Sequence, residues 1–417
     1  MSLRDRLRRL RREEEPKEPS ILPTAAEAIE RTSGRPVELE PYAGDLGAWL
    51  ARRTWFDPDA RHGNYNLSEI ESAMLEDFIL LTGDSGLSAL DLKDAVYLDT
   101  ETTGLSGGAG TYVFMIGLGR FEESEKGAGF ECWQGFLDGP GDEPALLEEC
   151  ARRIRESSGV VSFFGKSFDR HRLEDKMRLC GVEPPFADLP HLDLYHPCRR
   201  LYRGAYENGR LKTMEQELCG VQRTDDLPGS QAPAAWFDYL AERPHQLEAV
   251  FRHNLDDVLS LVSLAAHLGR SQKEERLDGR QLSGDSVCRA LGLSRSLADL
   301  GEREGALAWI DLAIERGASP RRAIELERAH LLRLSGQAPA AILAYRELVC
   351  GSEDACSVPA LLELAKLLEH HEHQNAAALE CCLTAHVLLK RNHTGKEFAR
   401  LSRDLEKRTA RLRLKSP

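Results

Sequence analysis

Leu98-Asp99-Thr100-Glu101-Thr102-Thr103-Gly104-Leu105 closes a short apolar run, Ala95-Val96-Tyr97-Leu98, and decides how the rest of the chain is read. A run of that length beside turn residues reads as a buried strand. Asp99 and Glu101 are two apart at its end, so both carboxylates point to the same face. Side by side, each raises the pKa of the other, which is unfavourable unless a cation sits between them. Magnesium or manganese suits that place, because both prefer hard carboxylate oxygens and keep positions open for water and phosphate. An isolated acidic pair is common in loops, so its weight comes from its surroundings.

Moving outward, Tyr112 to Leu118 is a second apolar run, separated from the first by the glycine-rich stretch Gly104 to Gly110. The two read as a hairpin, with glycine supplying the backbone angles of the turn. That stretch lacks the G-x-x-x-x-G-K-[ST] pattern and is not read as a phosphate loop. The pattern then predicts a strand over Phe130–Phe136, a helix over Glu143–Arg155 and a strand over Val160–Phe164. A helix from about Phe168 to Cys180 follows, stopped by Gly181, Pro184 and Pro185. His191–Tyr195 reads as a strand and Pro244–Leu268 as a long helix with an apolar face. Strands come first as a hairpin and then alternate with helices, which gives a mixed α/β sheet domain. Upstream, Thr24 to Leu90 alternates helix-like pieces with turn signals and serves as a lead-in.

From about Val287 the strand signals vanish and Ala, Leu, Glu and Arg dominate. Leu300-Gly301-Glu302-Arg303-Glu304-Gly305-Ala306 aligns with Leu334-Ser335-Gly336-Gln337-Ala338-Pro339-Ala340 at a spacing of 340 − 306 = 34 residues. That is the period of a tetratricopeptide helix pair, and a weaker copy at Leu362–Leu389 places Ala378-Leu379 where Ala306-Leu307 stands. Each helical hairpin then buries its face on the next. The expected segments are a flexible charged N-terminal segment (1–20), the lead-in packing on the core (21–90), the α/β domain (91–271), a linker (272–286), the helical repeats (287–395) and a basic C-terminal helix or tail (396–417).

Two further segments of the α/β part carry acids. In Phe163-Phe164-Gly165-Lys166-Ser167-Phe168-Asp169 a strand ends in a glycine turn and Asp169 opens the next helix. An aspartate there often caps the helix. In His253-Asn254-Leu255-Asp256-Asp257, His253 and Asp257 are four apart on a helix and share a face. Asp256, one position away, points about 100° aside.

Together these segments resemble, in order and context, the DEDD superfamily of 3′–5′ exonucleases, and more closely the YprB-like group of ribonuclease-H-like proteins. The matching words are LDTETTGLSGGAGTYVF, SFFGKSFD, HLDL, LKTMEQELCGV, the DDLPG at Asp225 to Gly229, and HNLDDVLSL, spanning roughly residues 55 to 270. The resemblance implies a ribonuclease-H-like mixed sheet flanked by helices, followed by an all-α tetratricopeptide-like repeat domain. It also implies that Asp99, Glu101, Asp169 and Asp257 hold two Mg²⁺ or Mn²⁺ ions about 3.5 to 4 Å apart, with Asp99 bridging. His253 would then orient the attacking water or take its proton. Two positions depart from the family pattern. His253 precedes Asp257 by 257 − 253 = 4, the spacing of the class that carries Tyr there, and Phe164 stands where many relatives have Asn. The implied activity is metal-dependent hydrolysis of single-stranded ends of RNA or DNA. The alternatives are a structure-selective endonuclease on the same fold and a nuclease-like scaffold whose repeats bind a protein partner.

Composition sets outer limits. At 417 residues the chain is long enough for two or three domains. It holds no apolar run long enough to span a membrane, and its Arg-rich start lacks the apolar stretch of a secretory signal, so a cytoplasmic protein is expected. The ten cysteines are scattered, with no C-x-x-C pair, which reads as reduced thiols. A net charge of −13 excludes a surface coated in positive potential, but local patches remain open. Between Tyr195 and Lys212, Arg199, Arg200, Arg203, Arg210 and Lys212 stand against Glu207 alone, net +4, interleaved with Tyr195, Tyr202 and Tyr206. Cations mixed with aromatics suit single-stranded nucleic acid, and a solvated charged loop is the alternative. Thr102 and Lys166, next to the acidic motifs, join Arg199, Arg200, Arg203 and Lys212 as candidate nucleic-acid contacts.

Overall fold

The computed structural model describes residues 38–104, 110–124, 127–224, 227–272, 285–351, 353–392 and 395–415. The N-terminal segment, the tip of the glycine-rich turn, most of the linker and Asp225-Asp226 of the DDLPG word lie outside the described residues.

A seven-stranded sheet forms the first half. Its strands are β1 (Glu40–Gly44), β2 (Gly47–Phe56), β5 (Val96–Thr102), β6 (Val113–Ser124), β7 (Gly127–Phe136), β8 (Val160–Ser162) and β9 (His191–Asp193), in the order β1-β2-β7-β6-β5-β8-β9. A separate two-residue ladder pairs β3 (Arg61–His62) with β4 (Tyr65–Asn66). The hairpin strands β5, β6 and β7 pair antiparallel, whereas β8 and β9 add in parallel beside β5. Parallel addition requires crossovers, and helices supply them. Helix α2 (Glu143–Arg155) precedes β8, and α3 (Asp169–Leu179) lies between β8 and β9. The lead-in differs from the expected helix-like pieces. Among its described residues it holds one α-helix, α1 (Leu75–Thr82), while β1 and β2 extend the sheet, β2 pairing antiparallel with β7 from Leu50↔Phe136 to Phe56↔Phe130. The Arg-rich run in β2 hid the strand, because only alternate side chains are buried there.

Beyond β9 come α4 (Tyr195–Tyr202), α5 (Leu211–Met214), α6 (Ala232–Leu240) and α7 (Leu247–Leu268). One core packs α2, α3, α6 and the start of α7, and a second packs α1, α4 and the rest of α7. Helix α7 presses on β6 at two glycines. A Cβ at Gly119 would come within 2.6 Å of Val258 Cγ1, and one at Gly117 within 2.4 Å of Asn254 Oδ1.

The second half is all helix: α8 (Asp285–Leu300), α9 (Arg303–Glu315), α10 (Arg321–Leu334), α11 (Ala338–Val349), α12 (Ser357–His370), α13 (Asn375–Asn392) and α14 (Gly395–Lys415). The repeat is visible in its caps. Gly301 and Gly336, both with positive φ, end α8 and α10, and Glu302 and Gln337 start α9 and α11, so the structural period is 336 − 301 = 35 rather than 34. Ala306, Ala341 and Ala378 occupy matching fully buried positions one turn into α9, α11 and α13. Helix α8 docks on α4, where Gly292 leaves no room for a Cβ beside Leu201 and Arg200. None of the ten cysteines forms a disulfide. No helix among the described residues is long and apolar enough to cross a membrane.

Candidate active site

Strand β5 continues through both carboxylates of the D-x-E word, with a register irregularity between Glu101 and Thr102. By alternation Asp99 and Glu101 share the face of Tyr97, which packs with α7, while Thr100 shares the face of Leu98. The opposite placement of Thr100 has a use: its hydroxyl donates to Asp169 Oδ1 at the start of α3. Gly165 lets the loop before α3 close over that carboxylate, since a Cβ there would sit 3.1 Å from Asp169 Oδ2 and 2.4 Å from Ser162 Oγ.

Helix α7 brings three neighbours to β5. Asn254, fully buried, donates to Asp99 Oδ2 at 2.8 Å, and its own Oδ1 accepts from Gln134 at 2.9 Å. Gly117, directly across the ladder from Asp99, makes the space that Asn254 fills. His253 Nε2 lies 3.6 Å from Asp257 Oδ2 and 3.9 Å from Glu101 Oε1. Asp99, Glu101, Asp169, His253 and Asp257 are thus placed around one end of β5. Asp256 is half-buried on the neighbouring flank of the helix.

The electrostatics are those of crowded acids. Burial above all, then Asp257, Glu101 and Asp169, push the Asp99 carboxyl well above the usual carboxylate range, while the Asn254 hydrogen bond pulls the other way. Asp169 is pushed up to about 7, mainly by burial, with Thr100 and its own backbone N–H opposing and Asp193 and Asp257 adding. Among the described residues no three His, Cys, Asp or Glu side chains already converge as a metal cage. The donor set nevertheless fits a hard divalent cation. Mg²⁺ is ordinarily held by one or two carboxylates, with water and substrate phosphate completing its shell.

Two residues of the site, Asn254 and Arg223, had no signal in the sequence reading. Arg223 is almost fully buried; Glu215 grips it through Nε–Oε1 at 2.6 Å and Nη2–Oε2 at 2.6 Å, and Nη2 also donates to Asp257 Oδ1. A π-helical turn at Glu215–Cys219 carries Glu215 to this point, where Ser260 of α7 donates to it as well. Arg223 Nη1 lies 3.3 Å from His253 Nδ1. Because a guanidinium has only donors, that nitrogen must accept, and a neutral His253 then carries its proton on Nε2. Glu215 belongs to the LKTMEQELCGV word, but nothing in that word's spacing points to an arginine eight residues on.

The remaining candidates are dispersed. Thr102 donates to Gly104 O at 3.3 Å. Lys166 reaches Asp84 at 3.3 Å and lines a cavity of about 580 Å³ with Arg199, Arg200, Arg203 and, from α8, Arg295. Arg200 is engaged in docking α8, through Ser296 Oγ at 2.9 Å and through Asp299. Lys212 is exposed on α5 and does not line that cavity. The strand expected over His191–Tyr195 stops at Asp193, and the basic stretch after it is helical at its start. Tyr202 is buried, its hydroxyl 3.1 Å from His267, so it faces the core rather than a ligand.

Comparison with known proteins fits this architecture. Residues 96–269 match the model of the RNase_H superfamily. Residues 96–269 form a ribonuclease-H-superfamily domain. YprB of Bacillus subtilis (strain 168), itself uncharacterized, is 28% identical over 376 residues, 88% of this chain and 87% of that protein. The similarity therefore spans the ribonuclease-H-superfamily domain and the helical array together. A solved structure of Podosopora anserina kinesin-light-chain nearly identical TPR-like repeats aligns at 15% identity. It covers 59% of this chain and 94% of that one at a TM-score of 0.24, too loose to bear on the fold. The ribonuclease-H-superfamily domain is nuclease-like, and its matched range takes in all four acidic residues, His253 and Arg223.

Proposed function

We propose that this chain is a metal-dependent nuclease that hydrolyses phosphodiester bonds at single-stranded 3′ ends of RNA or DNA. The observation that carries the reading is the mutual crowding of Asp99, Glu101, Asp169 and Asp257 at the end of a buried strand, where a bound divalent cation relieves their repulsion at neutral pH. Two Mg²⁺ or Mn²⁺ ions bound there would activate the attacking water and stabilise the leaving oxygen. Asp99, which feels Asp257, Glu101 and Asp169 together, would hold the ions with them, and Asn254 donates to its Oδ2 and fixes its orientation. Arg223 holds Asp257 by Oδ1 and leaves Oδ2 on the His253 side. With its proton on Nε2, His253 acts as a hydrogen-bond donor that orients the attacking water rather than as the base. The proton that the attacking water gives up would then pass to bulk solvent rather than to the imidazole.

One observation favours the second reading, a nuclease-like scaffold whose helical array binds a protein: Arg223 already neutralises part of Asp257. Against it stands the cost of keeping clustered buried acids without a use. End-labelled and circular single strands incubated with Mg²⁺ or Mn²⁺ separate the remaining alternatives. The proposal expects stepwise loss of nucleotides from a 3′ end and intact circles; cut circles would mean an endonuclease.

A further inference from the structure

Phe164 is an anomaly. It is a bulky residue with φ of +63°, a region that disfavours side chains other than Asn, Asp or Gly, and it is 47% exposed. The surroundings hold it there. Asp193, buried at the end of β9, accepts from the backbone N–H of Phe164 at 2.7 Å, of Tyr195 at 3.1 Å and of Lys166 at 3.1 Å. Strain that is kept in place by such a staple is a mark of use rather than of accident.

The ring has a defined setting. Its centroid stands 5.1 Å from that of Tyr195, edge to face, and Tyr195 stands 5.8 Å from the ring of His196. On one side, the next residue, Gly165, closes over Asp169. On the other, Lys166, His191, His196, Arg199, Arg203 and Arg295 line the cavity of about 580 Å³ between the sheet domain and α8. His191 is buried in that wall, with Nε2 2.8 Å from Ser162 Oγ and no hydrogen-bond partner for Nδ1 among the described residues. An aromatic face and a row of cations match a base and its phosphates, which is how single strands are held.

We infer that Phe164, backed by Tyr195, is a base-stacking platform for single-stranded nucleic acid beside the carboxylate site, with the strand's phosphates running into the cavity toward Arg199, Arg203 and Arg295. The inference rests on the nuclease reading above and extends it to the path of the substrate and to a contribution from α8. The strained backbone makes it testable, because Asn is at ease where Phe164 is not.

The test uses the full chain carrying Asp99→Ala, so that the ligand stays uncut, and short single strands of DNA and of RNA with a fluorescent adenine analogue near the 3′ end. With Phe164 present, the analogue is expected to bind and be quenched. Phe164→Asn should weaken binding about fivefold or more and abolish the quench, with the melting temperature unchanged or raised, while Phe164→Trp keeps both. Equal affinity for the Phe and Asn forms overturns the platform and leaves the nuclease reading standing. Weaker binding together with a lower melting temperature makes the ring structural and also overturns it. Failure of the parent protein to bind any strand overturns both.

Discussion

The Arg223 guanidinium spans a buried and a half-buried carboxylate, paired with Glu215 through two nitrogens and donating with one of them to Asp257 Oδ1. Its side chain is 2% exposed and that of Glu215 1%. Removing one member of such a group leaves buried charge uncompensated, which costs about 3–5 kcal/mol. Arg223→Gln should therefore shift the urea midpoint strongly. Arg223→Lys should not restore it, because a single ammonium cannot reproduce the planar fork. A loss below about 1 kcal/mol for either variant, on the same scale, would show that the cluster is not held by this arginine.

Crowded acids also predict a trade of stability against function. Asp99 is raised well above the usual range by burial and by three neighbouring carboxylates. Asp99→Asn removes one source of repulsion while keeping the shape and the contact with Asn254. In a chelator at neutral pH the variant should melt higher than the parent. Mn²⁺ should raise the melting temperature of the parent and much less that of the variant. A parent protein indifferent to Mn²⁺ would favour the scaffold reading.

Asn254 is a support rather than a ligand, and Gly117 gives it room. A hydrogen bond to a charged group contributes roughly 1.5–3 kcal/mol, so Asn254→Ala should lower turnover about tenfold or more. Gly117→Ala should produce a similar fall while keeping every polar side chain, since its Cβ would lie 2.4 Å from Asn254 Oδ1 and push that amide off Asp99. Turnover measured on a labelled strand checks both. Full activity in Gly117→Ala would mean that Asp99 needs no such orientation.

In the helical array, Glu369 on α12 is fully buried at its side chain and receives Arg408 at 2.7 Å, Arg411 at 2.6 Å and Lys415 at 2.9 Å, all from α14. Burial raises its pKa, but Arg411 and Lys415 outweigh that and hold it down at about 2. A carboxylate lowered on folding contributes stability that is full above its unfolded value, about 4.3, and is lost as pH falls toward 2. The array should accordingly loosen between about pH 4 and pH 2, and Glu369→Gln should remove that part of the acid dependence. Helical circular dichroism against pH follows it. An unaltered acid profile in the variant would place the sensitivity elsewhere.

Much of this was legible in the sequence for a physical reason. Strands β5 to β7 and the helices on either side of β8 announce themselves by apolar runs and turn residues, and the acids sit at their ends. The parts that escaped depend on contacts distant along the chain. Strand β2 is masked by Arg52 and Arg53, which pair with Glu248 and Glu131 in other elements. Arg223 and Asn254 have no local pattern, because their partners lie 34 and 155 residues away in the chain. Phe164 stood out in the sequence only as a departure, and its left-handed backbone and exposed ring give that departure a use.

The most direct test of the central claim is hydrolysis of a labelled single strand by the purified full chain with Mg²⁺ or Mn²⁺, set against Asp99→Ala prepared in the same way. The carboxylate site predicts cleavage that needs the cation, stops with chelator and is lost in the variant. Equal rates from the two proteins, or no cleavage with either cation, would contradict it.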